Sequence, residues 1–478
     1  MLGRSIRAVL WLGPAALLWV VLAFVVWVAN VEGVAITNIL FVLALPLTYV
    51  AGVGAVVHAS DQPRRAVMRV AALTLGIIAA LTLLEMAAAV RLVHWELVFK
   101  ALRGEQQHYV SDADLGFRHT PNARGSGRLR SDVEVACGLP ASRADRVTVT
   151  YDPRGYRNVA TLTRADIVLI GDSYVEGAYV SDDEVVSGFL QARLRRPVAN
   201  LGVAGYGTAQ ELIVLERDAL PFEPRVVIWF FFEGNDLYND QEFENALLAP
   251  RERRAEAWTA RHGWWRRSLV RNAPAQLRIL LYPLVPSYCP YFGVVRAGSH
   301  RGQKVLFAPE AAFPWTDFER SRWERAQQTL RDAVRVTRAH EVNLLLVYVP
   351  IKFRVYRDFI EPSPGGELRD WTLWPLPDLF AHFCRTEELA CLDLTGVLRD
   401  AVRAGGMPHA PADSHWSPEG YQLVARQLED TLTLLGWLRP VVSRPTLTGV
   451  ASDRASVRYD RRRRAGKTAS SGTTRPGP

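Results

Sequence analysis

A chain of 478 residues is too long for one small domain and has room for two or three units. At 49% hydrophobic and 22% charged residues it is, taken whole, neither disordered nor fibrous. The formal charge of +8 is inflated by a tail run, Arg461, Arg462, Arg463 and Arg464 with Lys467, so nucleic acid is not an expected partner. Four cysteines in so long a chain exclude a disulfide scaffold. None is spaced with histidines as zinc ligands are, and neither a metal nor another cofactor is expected.

Three apolar runs come first. Residues 8–29 and 34–57 carry no charge, and Val70 to Val90 carries one ionisable residue, Glu85. Each reaches the roughly 20 residues that span a hydrocarbon core. A signal peptide would have an apolar region of only about 7–15 residues and no further spans behind it. Residues 1–97 are therefore expected to form a membrane domain of three transmembrane helices. Arg4 and Arg7 precede the first span, and Arg64, Arg65 and Arg69 separate the second from the third. The loop between the first two has Glu32 and no basic residue. By the positive-inside rule the N-terminus and the 58–69 loop are cytoplasmic, and everything after about residue 95 lies on the far side. All four cysteines fall there, where disulfides can form. Cys384 and Cys391 are close enough to close a small loop, and Cys137 with Cys289 is the pairing left over. Glu85 is either a functional intramembrane acid or a residue near the outer interface or against a neighbouring helix.

Residues 98–159 are a lead-in segment, and from residue 160 to about 440 strand and helix patterns alternate. Asp166 to Ile170 reads as a buried strand ended by Gly171, residues 182–196 as a helix, and Val198 to Leu201 as a short strand. A helix follows over Thr208 to Leu220. Arg225 to Phe232, apolar on both faces, reads as the central strand of a parallel sheet. The segment 240–315, irregular and rich in Trp, Arg and Pro, reads as an insertion above the sheet, where sites are often lined. An amphipathic helix from Phe318 to His340 leads into a strand over Asn343 to Val349. A strand over Ala390 to Leu394 and a closing helix over Pro418 to Leu435 complete the pattern. The predicted class is α/β, a three-layer α/β/α sandwich with a mostly parallel sheet behind three transmembrane helices. Residues 441–478 read as a disordered basic tail.

Open α/β sheets bind ligands at the carboxyl ends of their strands. After the first strand comes Gly171-Asp172-Ser173, and after the second Asn200-Leu201-Gly202-Val203-Ala204-Gly205-Tyr206-Gly207. After the third comes Glu233-Gly234-Asn235-Asp236, and before the last helix Asp413-Ser414-His415-Trp416. These are the parts of an acyl-transfer site. A serine hydroxyl is a weak nucleophile until an imidazole takes its proton, and a carboxylate fixes the tautomer of that imidazole. The backbone N–H groups of Ser173 and Gly205 and the Asn235 amide can receive the oxyanion. Each piece also has a plain structural reading. Gly-Asp-Ser is an ordinary turn, Gly202, Gly205 and Gly207 can be turn or phosphate-loop glycines, Asn235 and Asp236 can cap a helix, and His415 can be structural. Their conjunction in one order favours the site. Ser173 is not in a G-x-S-x-G elbow, so the α/β-hydrolase fold is not supported.

In that order, GDS, N-x-G-x-x-G, GND and D-x-H, residues 160–437 resemble the SGNH (GDSL-type) hydrolases. Asp114-Leu115-Gly116-Phe117-Arg118 and Arg154-Gly155-Tyr156-Arg157-Asn158 resemble the lead-in of membrane-anchored bacterial members. The resemblance implies the flavodoxin-like fold of that superfamily and a location in the bacterial cytoplasmic (inner) membrane, multi-pass, with an extracytoplasmic catalytic domain. It implies Ser173 as nucleophile, His415 as general base, Asp413 as acid, and Ser173, Gly205 and Asn235 as the oxyanion hole. Many members place the acid three residues before the histidine, where this chain has Ala412. The D-x-H-W wording is similar to the alginate O-acetyltransferase branch. Asp393, at another strand end, is the second candidate for the acid, or else a cap. Lys352 is expected to be exposed, with contact to an anionic substrate as the other reading.

Three functions fit. One is an esterase acting on an O-acylated envelope glycan or lipid outside the membrane. Another is an O-acyltransferase passing the acyl group from Ser173 to a polysaccharide hydroxyl. Because three spans are too few to form an acyl-donor channel alone, this second reading implies a multi-span membrane partner. The third is an inactive glycan-binding module on the same fold, which the intact motif set disfavours.

Overall fold

The computed structural model describes residues 36–102, 109–127, 131–137, 139, 146–177, 179–247, 267–273, 276 and 289–438. The first expected span, residues 8–29, and the expected tail, 441–478, lie outside the described residues. The second falls on the helix Ile36–Ala59, and the third on the helix Pro63–Ala89, with proline in its first turn. Among the described residues one helix, Pro63–Ala89, is long and apolar enough to cross a membrane, where three were expected. The fully described part of the preceding helix, Thr48–Ala59, is apolar but shorter than a span. Side chains along Pro63–Ala89 such as Leu73, Leu75 and Ile78 face outward, which a soluble core helix would not do. Glu85 sits against a short helical piece at 269–273, in keeping with its reading as a residue against a neighbouring helix. Its Oε2 accepts from Leu269 N at 2.8 Å and Val270 N at 3.2 Å, so it docks a piece of the insertion.

The lead-in folds as two antiparallel pairs. Strands β1 (Tyr109–Asp112) and β2 (Gly116–His119) form one, and β3 (Arg124–Gly127) and β4 (Val147–Thr150) the other. The Asp112 carboxylate accepts from Asp114 N and Leu115 N, which makes the tight turn between β1 and β2. Between β3 and β4 a short helix, Asp132–Cys137, starts at a reciprocal cap: Ser131 Oγ accepts from Glu134 N, and Glu134 Oε2 accepts from Ser131 N. Hydrogen bonds tie the lead-in to the α/β domain. Asn158 exchanges hydrogen bonds with the Asn200 backbone, and buried Arg157 donates to the carbonyls of Glu176 and Val180.

The strands of that domain are β5 (Ile167–Ile170), β6 (Val198–Asn200), β7 (Val226–Phe232), β8 (Phe292–Val295) and β9 (Lys304–Leu306). Then come β10 (Asn343–Val349), β11 (Ile360–Pro362) and β12 (Ala390–Asp393). Five of them pair in parallel in the order β12-β10-β7-β5-β6. Numbered along the chain that is 2-1-3-4-5, the flavodoxin-like order, whose switch point lies between β5 and β7. Every residue of β7 is buried, so both faces of the sheet are covered. One helix group, Val186–Leu194 with Pro418–Leu434, packs together, and Thr208–Val214, Asp236–Leu247 and Asp317–Ala339 form another. Phe231 stacks on Tyr348 and Phe380 and meets Trp323 edge-on. Burying each such ring contributes about 1.5–3 kcal/mol.

Two expectations change. The helix expected over 208–220 is regular only to Val214 and widens over Leu215–Ala219, from which Arg217 reaches Asp112 of the lead-in. The insertion is not irregular throughout. Near its end β8 and β9 pair antiparallel, and β11 completes a separate three-stranded sheet. Both expected cysteine pairs are disulfides, Cys137–Cys289 and Cys384–Cys391.

Candidate active site

The switch point decides where the chemistry can be. Chains leaving β5 and β7 in opposite directions open a crevice at their carboxyl ends, and Ser173 and Asn235 leave from those ends. Asp172 accepts from Tyr174 N at 3.0 Å and starts the single helical turn Ser173–Glu176, which raises the serine above the sheet. The turn carrying Asp413 and His415 comes in from the last connection, pinned by the bridge His409–Trp416 and by Ala410 N donating to His415 O.

Three of the five predicted site residues form one chain of hydrogen bonds. Ser173 Oγ lies 2.8 Å from His415 Nε2, and His415 Nδ1 lies 2.5 Å from Asp413 Oδ1. The His415 backbone N–H also donates to Asp413 Oδ1, at 2.8 Å, which fixes the carboxylate to its own turn. Two residues of separation are therefore enough for the carboxylate to reach the ring. Asp172 Oδ2 also lies near Ser173 Oγ, but at 3.3 Å it is the weaker partner. Burial opposes charge on Asp413, yet the imidazolium of His415 and its bonds outweigh that and hold the carboxyl down to about 2. Burial likewise opposes charge on His415, and the carboxylates of Asp413, Asp132 and Asp172 push it the other way, well above the ordinary histidine value.

Gly205 and Asn235 lie in the loops after β6 and β7, the two neighbours of β5, the strand that Ser173 follows. Gly202 must be glycine, because a Cβ there would come within 2.4 Å of Glu176 N in the serine turn. Gly205 has φ +84°, a left-handed conformation that costs any other residue strain. Glu176 holds this loop by accepting from Ala204 N at 2.6 Å, and is itself paired with buried His119 at 3.1 Å. The Asn235 amide oxygen is buried without a hydrogen-bond partner.

Other predicted positions fall differently. Asp393 caps the next helix by accepting from Thr395 N at 2.8 Å, which is its capping reading. Lys352 is not exposed. Its ammonium is buried and donates to the carbonyls of Ala410 at 2.6 Å, Pro411 at 3.0 Å and Asp413 at 2.8 Å. Burial pushes it down to about 7. Two residues that the motifs do not reveal stand at the site. Asp132, from the lead-in helix, contacts the Asp413 turn, and Glu310 of the insertion lies against Gly234. Burial and the charge on Asp132 push Glu310 up to about 8. Asp132, Asp413 and His415 present ligand atoms within 4.8 Å of one another, a spacing a cation could use. Each of the three is already engaged within the turn or with Ser173.

Residues 169–423, more than half of the chain, match the family model of the GDSL-like lipase/acylhydrolase family. One curated relative is the probable alginate O-acetylase AlgJ of Azotobacter vinelandii, 36% identical over 115 residues. That match spans 23% of this chain and 28% of the relative, so little more than a quarter of its length is shared. Among solved structures, an acetyl-xylooligosaccharide esterase variant from Geobacillus stearmophilus is 13% identical with a TM-score of 0.31, covering 57% of this chain and 95% of that one. A GDSL-like lipase from Bacteroides thetaiotaomicron is 9% identical with a TM-score of 0.28, covering 56% and 88%. Nothing about activity passes from these two to this chain.

Proposed function

The chain belongs to the GDSL-like lipase/acylhydrolase family and is an ester-acting enzyme of SGNH type; from that premise we propose that it transfers acyl groups through Ser173. The observation that carries the reading is the continuous line from Ser173 Oγ through His415 to Asp413. His415 Nε2 takes the hydroxyl proton as Ser173 Oγ attacks the ester carbonyl, while Asp413 keeps the ring in place and stabilises its cation. The oxyanion is received by the N–H groups of Ser173 and Gly205 and by the Asn235 amide. His415 then returns its proton to the leaving alcohol. Water or a sugar hydroxyl next attacks acyl-Ser173, giving up its proton to His415; the acyl–Oγ bond breaks, His415 returns the proton to Ser173 Oγ, and a free acid or a new ester departs.

The substrate class we propose is an O-acylated glycan or lipid of the cell envelope. The enzyme would be held by three spans in residues 1–97 of a bacterial cytoplasmic membrane, with the lead-in 98–159 and the catalytic domain 160–440 outside and a basic tail over 441–478. Supporting this are the apolar, outward-facing helix Pro63–Ala89 and the two disulfides of the catalytic part. A specific observation favours the transferase form: the 36% identity to a protein named as an alginate O-acetylase. In that form a multi-span membrane partner supplies the acyl group. The test is to incubate detergent-solubilised protein with a chromogenic acetyl ester, with and without a glycan acceptor. A hydrolase releases acetate in both cases, whereas a transferase places acetyl on the glycan. If neither activity depends on Ser173, the reading fails.

A further inference from the structure

We propose that Asp132, contributed by the lead-in segment, is a positioning residue that holds the Asp413–His415 turn on Ser173 and adds a second negative charge behind the imidazole. The inference rests on the acyl-transfer reading above. Three consecutive residues of the turn are bonded to two of the lead-in. Ser131 Oγ donates to Ala412 O at 2.5 Å, and Asp132 N donates to Asp413 Oδ2 at 3.1 Å. The Asp132 carboxylate accepts from Ser414 N at 3.1 Å and, through its other oxygen, from the Ser414 hydroxyl. Asp413 thus gives one oxygen to His415 and the other to Asp132, and its carboxylate cannot swing away from the ring.

The support behind Asp132 is firm. Its helix ends at Cys137, which is joined to Cys289 by a disulfide. Val133, Cys137, Cys289 and Leu306 form a buried cluster against which Ala412, next to the triad acid, packs. A merely structural clamp would not need a charge here, because an asparagine could accept from Ser414 N through its oxygen and donate its NH2 to the Ser414 hydroxyl. The fold instead keeps a carboxyl whose oxygen comes within 4.8 Å of its counterparts on Asp413 and His415. Two carboxylates so close repel, and loss of solvent together with the Asp413 charge pushes Asp132 up to about 6. The repulsion is relieved when the neighbouring ring is positive, which is the state His415 enters as the serine attacks. The charged groups facing Asp132 are Asp413 and His415 on the turn, Lys352 below it and Glu310 of the insertion.

The test is the pH profile of kcat/KM in full-length Asp132→Asn. The amide keeps an acceptor for Ser414 N but removes the charge. His415 then loses a neighbour that raises it, so the acid limb moves to lower pH by about one pH unit or more. Turnover on the plateau falls by about tenfold to a hundredfold as the turn loosens, with KM little changed. Asp132→Ser, also charge-free and smaller, serves if the amide does not fit. An acid limb that stays in place or moves up in a folded charge-free variant overturns the inference. Labelling of Ser173 by an organophosphonate in the unaltered protein separates the two levels. If labelling is present and the profile unmoved, the role of Asp132 is wrong and the triad stands. If labelling is absent, the acyl-transfer reading itself is wrong, and this inference falls with it.

Discussion

At the scale of single residues the strongest expectations concern charge that appears only in the transition state. Ser173→Ala should abolish organophosphonate labelling and nearly all ester turnover. Asn235→Ala should keep the labelling, lower kcat by roughly 10²–10³ and leave KM almost unchanged, as befits one oxyanion donor. Asp413→Asn should cost about 10⁴ in kcat through the wrong ring tautomer. Asp393→Asn, a cap on an exposed turn, should cost almost nothing, and a larger loss there than at Asp413 would reverse the assignment. Because three carboxylates push His415 up, the base is protonated over more of the pH range. The kcat/KM profile should accordingly still be rising above pH 6.5, the ordinary histidine value. A profile flat from pH 6 upward would contradict that. The serine and the oxyanion candidates are legible because each sits within a few residues of a strand end, and the histidine because it stands just before the closing helix. Lys352 was not, since its three carbonyl acceptors lie 58 to 61 residues further on and leave no local mark. Replacing it with methionine removes the donor to the Asp413 carbonyl, while Ala410 O and Pro411 O keep backbone donors from Asp413 N and Leu306 N, at a cost of about 1–3 kcal/mol. The melting temperature should then drop by roughly 5–10 °C.

Among the secondary-structure elements, the long parallel strands were the easiest to read. Val226–Phe232 and Asn343–Val349 are continuous apolar runs because both faces of the sheet are covered, and burial on both sides removes the polar half of the usual alternation. The three-stranded sheet β11-β8-β9 was missed for the opposite reason. Its strands have three or four residues each, and one lies more than fifty residues from its partners, beyond the range of any periodicity. The helix Asp132–Cys137 was equally silent, six residues whose importance comes from what they touch. Cutting its tether gives an element-scale prediction. Cys289→Ser releases the end of that helix, and kcat should fall severalfold while the Ser173 labelling site is kept. A variant with unchanged kcat would show that the disulfide only fastens the insertion.

For the whole molecule, orientation follows from charges outside the spans, so it can be tested without any knowledge of the substrate. A reporter fused after residue 100 should be active only outside the cytoplasm, and one fused within 60–62 only inside. A cytoplasmic signal from the first fusion would overturn the three-span proposal. Sequence hydropathy pointed to three spans; among the described residues one helix, Pro63–Ala89, is long and apolar enough to cross a membrane, and the first expected span lies outside them. Distance along the chain has its own consequence. Ser173 and the imidazole that activates it are 242 residues apart, and Asp132 meets Asp413 across 281. Synthesis runs from the N-terminus, so the serine turn, both glycine- and asparagine-bearing loops and Cys289 are all made before Asp413. Contacts of such separation also close late, since the entropy of the loop must be met before the contact rewards it. A chain stopped between Val349 and Asp413 contains four of its five parallel strands, and past Asp393 all five, yet it holds a serine without His415. The imidazole that meets Ser173 arrives only after all five parallel strands have been made, so no shorter chain can form the Ser173–His415 contact.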